Sequence, residues 1–350
     1  MTEHQIAIMG GCGSSGTTLL THLLSKHPQI GSGPEFNCFN HWEIYDFKLF
    51  KKRFKTMYLG NCKPCGYVDV HVFMTHREHY GIEADLLAKW VHLSNSTDDF
   101  LGHISRHMKA RLNSEWFLEK SPTNIYGFKV LAERHPSIPL IHLVRDGRDV
   151  SASLVRRGFN LYFAGTRWLY DTLAGLRARG SSNYLEVTYE HLVTSPQETI
   201  SQILSHIGVD QNLYTSPESQ PSENSHGVYE ERWSERKEPR SWNQTPSDPI
   251  STASIGRYKK AFSERELSTL YRIKLSKRAL EALNTDIKTF GELIDHLKFE
   301  SFPMATREIT IAQTLQEKQL ELQDYMRRRR LLRYKDNGRL SFPAIFSTIS

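Results

Sequence analysis

Near its amino end the chain sets a short apolar run, Ile6, Ala7, Ile8 and Met9, directly against a stretch rich in glycine, Gly10, Gly11, Gly13 and Gly16. Four consecutive apolar residues suit a strand buried on both faces, the habit of strands in parallel sheets. Beyond the glycines, Leu19, Leu20, Leu23 and Leu24 recur with helical spacing, so the stretch reads as strand, loop and helix. The glycines let the backbone turn tightly with successive N–H groups aimed inward, and Thr17 and Thr18 fall at the positive end of the new helix. Such a turn seats an anion. A buried parallel strand also requires partner strands and covering helices, which makes the expected class α/β.

The register of the loop narrows the anion. Gly11 to Thr18 follow the P-loop pattern G-x-x-x-x-G-x-T, but Thr17 stands where a nucleotide triphosphatase carries its phosphate-gripping lysine. That argues against ATP. The run Gly13, Ser14, Ser15, Gly16, Thr17 and Thr18, an apolar helix and then His27-Pro28 resemble the 5′-phosphosulfate loop of sulfotransferases that use 3′-phosphoadenosine 5′-phosphosulfate (PAPS), whose loops commonly read [KR]SGTT. The resemblance implies a three-layer P-loop fold with a central parallel sheet flanked by helices. It also implies that these six loop residues bind the cofactor. The chain departs from the pattern at Ser14: in the family this residue is usually basic and reaches the oxygen bridging sulfate and phosphate.

A second diagnostic run covers residues 140–159, LIHLVRDGRDVSASLVRRGF. Leu140 to Val144 read as another buried strand, with Asp146 and Asp149 offering caps for a following helix. Arg145 then sits at the strand's carboxyl end, where open parallel sheets bind ligands. Ser153 and Arg157 lie four apart, on one helical face. Two guanidinium groups and a hydroxyl can converge there on one phosphate. An arginine ending a strand with a serine eight residues later resembles the family's 3′-phosphate signature, and Arg157 matches a further arginine of its tyrosylprotein branch. Arg148 and Arg156 fall off that face and are expected in solvent.

Carried along the chain, the resemblance assigns further residues. Glu35 lies eight after His27, the position of the glutamate that takes the acceptor's proton in the tyrosylprotein branch, and a carboxylate beside the phosphate cradle is chemically suited to that task. Lys120, in the run WFLEKSPT, matches a lysine that touches the sulfuryl group in that branch and related bacterial enzymes; with Ser14 neutral, it is the candidate for stabilising charge on the leaving phosphate. Tyr189, in Y-E-x-L-x-x-x-P, is a candidate to close the nucleotide pocket. The run SIGRYKKAF resembles the late S-x-x-R-W-[KR] stretch that covers adenine and 3′-phosphate, with Arg257, Lys259 and Lys260 as its cations. Residues 37–115 are aromatic, histidine-rich and irregularly helical, and read as a helical insertion over the active site that holds most of the acceptor pocket. Within them His41, His71 or His76 could serve as base instead of Glu35. Cys62 and Cys65 form C-x-x-C before His71 and His76, but the spacing is too short for a zinc finger, and Pro64 and Gly66 mark a turn.

The remaining bounds are coarse. In 350 residues one large domain over residues 1–300 is the preferred reading, with a lid or loop at 214–250 pinned by Trp233 and Trp242. Helices are also expected at 163–179, 197–207, 264–283 and 288–299, and a strand at 184–192. A basic helical extension follows at 301–350, carrying Arg327 to Arg330, and reads as a docked helix or a homodimer contact. Four cysteines fit reduced thiols, and with no leader and no apolar run of membrane length the expected setting is cytoplasmic. A formal charge of +6 suits an anionic ligand, and no nucleic-acid recognition motif accompanies it. The expected function is therefore sulfuryl transfer from PAPS, with PAP as product and no metal, to a small-molecule, glycan or peptide hydroxyl. The alternatives are a P-loop kinase using ATP and magnesium, or a non-catalytic nucleotide-binding protein.

Overall fold

A computed structural model describes residues 4–57, 74, 76–214 and 250–301. Cys62, Cys65 and His71, the 215–249 part of the expected lid with Trp233 and Trp242, and the basic extension beyond residue 301 lie outside the described residues. Five strands form one sheet in the order β2-β3-β1-β4-β5, every pairing parallel. They are β1 (Ile6–Gly10), β2 (Ile30–Ser32), β3 (Trp116–Lys120), β4 (Leu140–Val144) and β5 (Tyr184–Thr188).

The sheet is the middle of three layers because its strands are apolar on both sides. Along β1, Ile6 and Ile8 join the core on one face, and Ala7 and Met9 join the core on the other, the two-residue alternation of a pleated strand. The second face is covered by α1 (Thr17–Leu24) and α9 (Pro196–Ile207), which supply Leu20, Leu23, Leu24, Ile200, Ile203 and Leu204. The first is covered by α2 (Phe47–Met57), α3 (Ala84–Leu93), α4 (Thr97–Leu112) and α5 (Phe128–Arg134). Thus the described part of 37–115 is largely helical, and its phenylalanines Phe47, Phe50, Phe54 and Phe100 pack at tilted to edge-on angles, 5.4–5.8 Å between ring centres.

A third core joins α6 (Gly147–Arg156) and α7 (Leu161–Leu176) to helices at Glu264–Arg272, Lys277–Leu283 and Phe290–His296. The expected helix over 264–283 is broken in two, since Lys274 bridges to Thr289 in an isolated antiparallel contact. The expected strand over 184–192 is shorter: β5 stops at Thr188, whose side chain accepts from the His191 N–H and caps α8 (Tyr189–Thr194). That cap turns the Tyr189-Glu190 pair into the first turn of a helix.

The sheet order puts β1 at the centre with β3 and β4 on either side. The chain leaves β1 through α1 toward one face and leaves β3 through α5 toward the other. Connections that diverge in this way open a crevice at the carboxyl ends of adjacent strands.

Candidate active site

Three neighbouring strand ends build the site. From the end of β1, Gly11 passes so close to β4 that a Cβ on it would lie 2.4 Å from the Leu143 carbonyl oxygen. Gly16 caps α1 at φ +96°, and a Cβ there would lie 2.5 Å from the Tyr189 ring. Only glycine fits either position without displacing backbone or an aromatic ring. Gly16 brings no side-chain acceptor to the first turn of α1, so backbone N–H groups there are left for a ligand. Within the loop the Ser15 hydroxyl is buried with no hydrogen-bond partner among the described residues, and Thr17 is buried at the helix start.

β3 ends on Lys120, which is paired in register with Met9 of β1. Its Nζ donates to Glu35 Oε1 at 3.3 Å, with Lys120 buried and Glu35 29% exposed. The two residues proposed from the sequence for proton transfer and charge stabilisation thus meet beside the glycine-rich loop. What holds them there is Glu119, which the sequence reading passed over. Its buried carboxylate accepts from the Phe36 N–H at 3.0 Å, the Asn37 N–H at 3.3 Å and the Ser121 hydroxyl at 2.5 Å, and also from the Asn124 amide. Burial raises its pKa, and these donors oppose the rise. Glu119 therefore straps the Glu35 loop to the strand end that carries Lys120. The exit of β3 also holds the glycine-rich loop, because the Pro122 carbonyl accepts from the Gly11 N–H at 3.1 Å.

β4 ends on Arg145. One of its nitrogens donates to the Ser14 carbonyl at 3.1 Å, another to the Ser254 carbonyl at 2.6 Å, and its guanidinium lies 4.2 Å from the centre of the Tyr189 ring. Tyr189 therefore touches both the glycine-rich loop and Arg145. A cleft of about 470 Å³ opens here, lined by Arg145, Asp149, Ser153, Arg156, Arg257 and Lys260 among others. Asp149 accepts from the Gly256 and Tyr258 N–H groups at 2.8 and 2.9 Å, which draws the chain around Arg257 over α6. Arg157, just past α6, donates to Ser14 Oγ at 2.9 Å.

Several expectations need correction or relocation. Arg148 is not in solvent: it is 2% exposed, paired to Asp146 at 2.6 Å, donating to the Tyr271 hydroxyl at 3.2 Å and stacked 4.2 Å from the Tyr258 ring. Burial works against its charge, but the Asp146 carboxylate more than offsets it and the pKa rises. Asp146 also caps α6 by accepting from the Arg148 N–H. Lys259 points elsewhere, its Nζ 3.3 Å from Glu300 Oε2, and Lys260 lines the cleft in its place. Of the alternative bases, His41 is buried and His76 begins a short 3-10 turn in left-handed backbone, φ +62°. Among the described residues no group of three or more His, Cys, Asp or Glu side chains is placed to hold a metal ion, and no helix is long and apolar enough to cross a membrane.

Residues 7–212 match the model of the sulfotransferase family. That match spans more than half of the chain, and the protein belongs to the sulfotransferase family. No curated protein sequence matches it significantly. Similar solved structures include the sulfotransferase domain from the curacin biosynthetic pathway, at 18% identity over 85% of this chain and 98% of that one, with a TM-score of 0.47. Another is the sulfotransferase domain from the Synechococcus PCC 7002 olefin synthase, at 18% identity over 80% and 92%, also with a TM-score of 0.47. A third is a sulfotransferase from Alicyclobacillus acidocaldarius, at 13% identity over 66% and 90%, with a TM-score of 0.37.

Proposed function

We propose that this sulfotransferase takes its sulfuryl group from PAPS and passes it to a hydroxyl acceptor. The observation that carries the reading is a pair of features at the ends of adjacent strands, each of a kind that suits an anion. One is a glycine-rich loop without the triphosphatase lysine; the other is the cleft of Arg145, Ser153, Arg257 and Lys260. An adenosine 3′,5′-bisphosphate skeleton needs both. The unpartnered Ser15 hydroxyl and the Arg145 Nε, also buried without a hydrogen-bond partner among the described residues, fit such a ligand.

PAPS supplies an activated sulfuryl group and leaves as PAP. The loop from Gly13 to Thr18 would hold the 5′-phosphosulfate with backbone N–H groups, Ser15, Thr17 and Thr18. Arg145 and Ser153 would hold the 3′-phosphate, with Arg257 beside them and Tyr189 closing the base side. In line with the leaving group, the acceptor oxygen forms its bond to sulfur as the bond from sulfur to the bridging oxygen breaks, and the acceptor proton passes to the Glu35 carboxylate. Lys120, in contact with Glu35, faces the same charge and would stabilise it. The acceptor would enter from the helical segment 37–115 and can be a small molecule, a glycan or a peptide hydroxyl. The free, buried thiols of Cys12 and Cys38 suit a reducing, cytoplasmic setting.

The test is the melting temperature with PAP and with ADP, in wild type and in Arg145→Ala. A ligand that binds only the folded state adds about 2.7 kcal/mol at a hundredfold excess over its dissociation constant, so the shift is readily seen. A shift specific to PAP and lost in the variant is expected; a larger one with ADP and magnesium would replace this reading with the kinase. Glu35→Ala should keep PAP affinity while turnover falls about 10²-fold or more, the usual contribution of a positioned base. Undiminished turnover would assign the proton to another group.

A further inference from the structure

The glycine-rich loop has no cation of its own, since Ser14 stands where the loops it resembles carry lysine or arginine. Ser14 is also the loop's one non-glycine residue in left-handed backbone, φ +77°, a conformation disfavoured for a residue with a side chain. Two arginines grip it in that state. Arg145 takes its carbonyl at 3.1 Å and Arg157 takes its hydroxyl at 2.9 Å. Their surroundings differ sharply. Arg145 is buried and tied toward the cleft by the Ser254 carbonyl, with Asp149 at 4.0 Å. Arg157 is exposed, follows the last turn of α6, and reaches the loop at the Ser14 hydroxyl. Its charge is felt inside the same loop: burial and Asp171 push the Cys12 thiol up in pKa, while Arg167 and Arg157 pull the other way.

We propose that Arg157 supplies from α6 the positive charge that the loop lacks at Ser14, and that it stabilises the leaving end of the sulfuryl donor. The proposal rests on the PAPS reading above and divides the two arginines by task. Arg145 serves the 3′-phosphate, and Arg157 serves the 5′ end. As the acceptor oxygen bonds to sulfur, the electron pair of the breaking bond settles on the bridging oxygen of the 5′-phosphate, and the acceptor proton goes to Glu35. Arg157 keeps its protons throughout, because guanidinium does not titrate in this range. It acts as a donor set in advance where charge grows, which accelerates the step only because that charge is larger in the transition state. The hydroxyl of Ser14 becomes the hinge pin of this arrangement, orienting the guanidinium over the loop.

Binding and turnover together test the assignment. Dissociation constants for PAP and for adenosine 5′-phosphosulfate, which lacks the 3′-phosphate, are measured by titration calorimetry on wild type, Arg145→Ala, Arg157→Ala and the double variant Arg157→Ala/Ser14→Lys. Melting temperatures confirm that each variant folds. Arg145→Ala should weaken PAP by a much larger factor than adenosine 5′-phosphosulfate, whereas Arg157→Ala should weaken both ligands by a similar factor. Single-turnover transfer should fall about 10²-fold in Arg157→Ala, the size of losing one transition-state donor, and Ser14→Lys should restore most of it. If Arg157→Ala weakens PAP but leaves adenosine 5′-phosphosulfate unchanged, Arg157 belongs to the 3′-phosphate and the proposal is wrong. A folded double variant that recovers no rate would overturn it as well. Failure of the PAPS reading itself looks different: wild type would then bind neither ligand.

Discussion

Glu190 shows how a single side chain is tuned by where β5 stops. In the first turn of α8, its carboxylate accepts from the Asp146 N–H at 3.0 Å, while its other oxygen is buried with no partner among the described residues. Burial pushes its pKa from 4.5 up to about 7, against the pull of that N–H. Below pH 4.5 the group is protonated whether the chain is folded or not. As pH rises toward about 7 the unfolded chain ionises first, the folded state binds more protons, and stability falls. Glu190→Gln removes the titration. The unfolding free energy of wild type relative to Glu190→Gln should therefore drop by roughly 2–3 kcal/mol between pH 4 and pH 8, as read from urea melts. A difference that stays flat across that range would mean that the carboxylate is solvated.

At the scale of elements, the site depends on short connections held by buried carboxylates. Glu119 joins the end of β3 to the Glu35 loop, and Asp149 joins α6 to the segment carrying Arg257. Hydrogen bonds to a charged acceptor are stronger than neutral ones, and the donors they satisfy would otherwise be orphaned. Asp149→Asn leaves one amide oxygen facing two N–H donors. Affinity for PAP should fall about tenfold, equivalent to 1.4 kcal/mol, with the fold retained; titration calorimetry reads it. Unchanged affinity would show that the Arg257 segment is placed without Asp149. Both carboxylates stand in legible stretches of sequence, Glu119 directly before Lys120 and Asp149 four after Arg145, but spacing alone assigns them only to a strand and to a helix cap.

Over the whole molecule, the family match ends at residue 212 but the core does not. Residues 258–297 contribute Tyr258, Leu270, Tyr271, Phe290 and Leu293 to the same cluster as Trp168 and Leu169 of α7. Phe290 is fully buried, with its ring 4.5 Å from that of Trp168, whose indole N–H donates to the Arg145 carbonyl. The late helices thereby brace the backbone at Arg145, on the wall of the cleft. Phe290→Ala should cost about 3–5 kcal/mol and lower the melting temperature of the described body in one calorimetric transition. A separate early transition for the late helices would show that they fold as an independent unit.

Sequence by itself determined what is local or periodic. The apolar run before the glycines specified a central parallel strand, because residues buried on both faces must be apolar throughout. The glycines and the leucines beyond them specified a tight turn leading into a helix. Tertiary structure alone decided which groups meet across long intervals. Arg148 is buried because Tyr258 and Tyr271 arrive from the end of the domain to cover it, and no helical spacing within α6 encodes that arrival. Lys260 rather than Lys259 lines the cleft because a single turn at Tyr258–Ala261 sets their directions apart. Arg157 lies on Ser14 because β1 and β4 are neighbours in the sheet, which carries the end of α6 to the loop after β1. Periodicity states which face a side chain occupies; only the packing of the other elements states what that face meets.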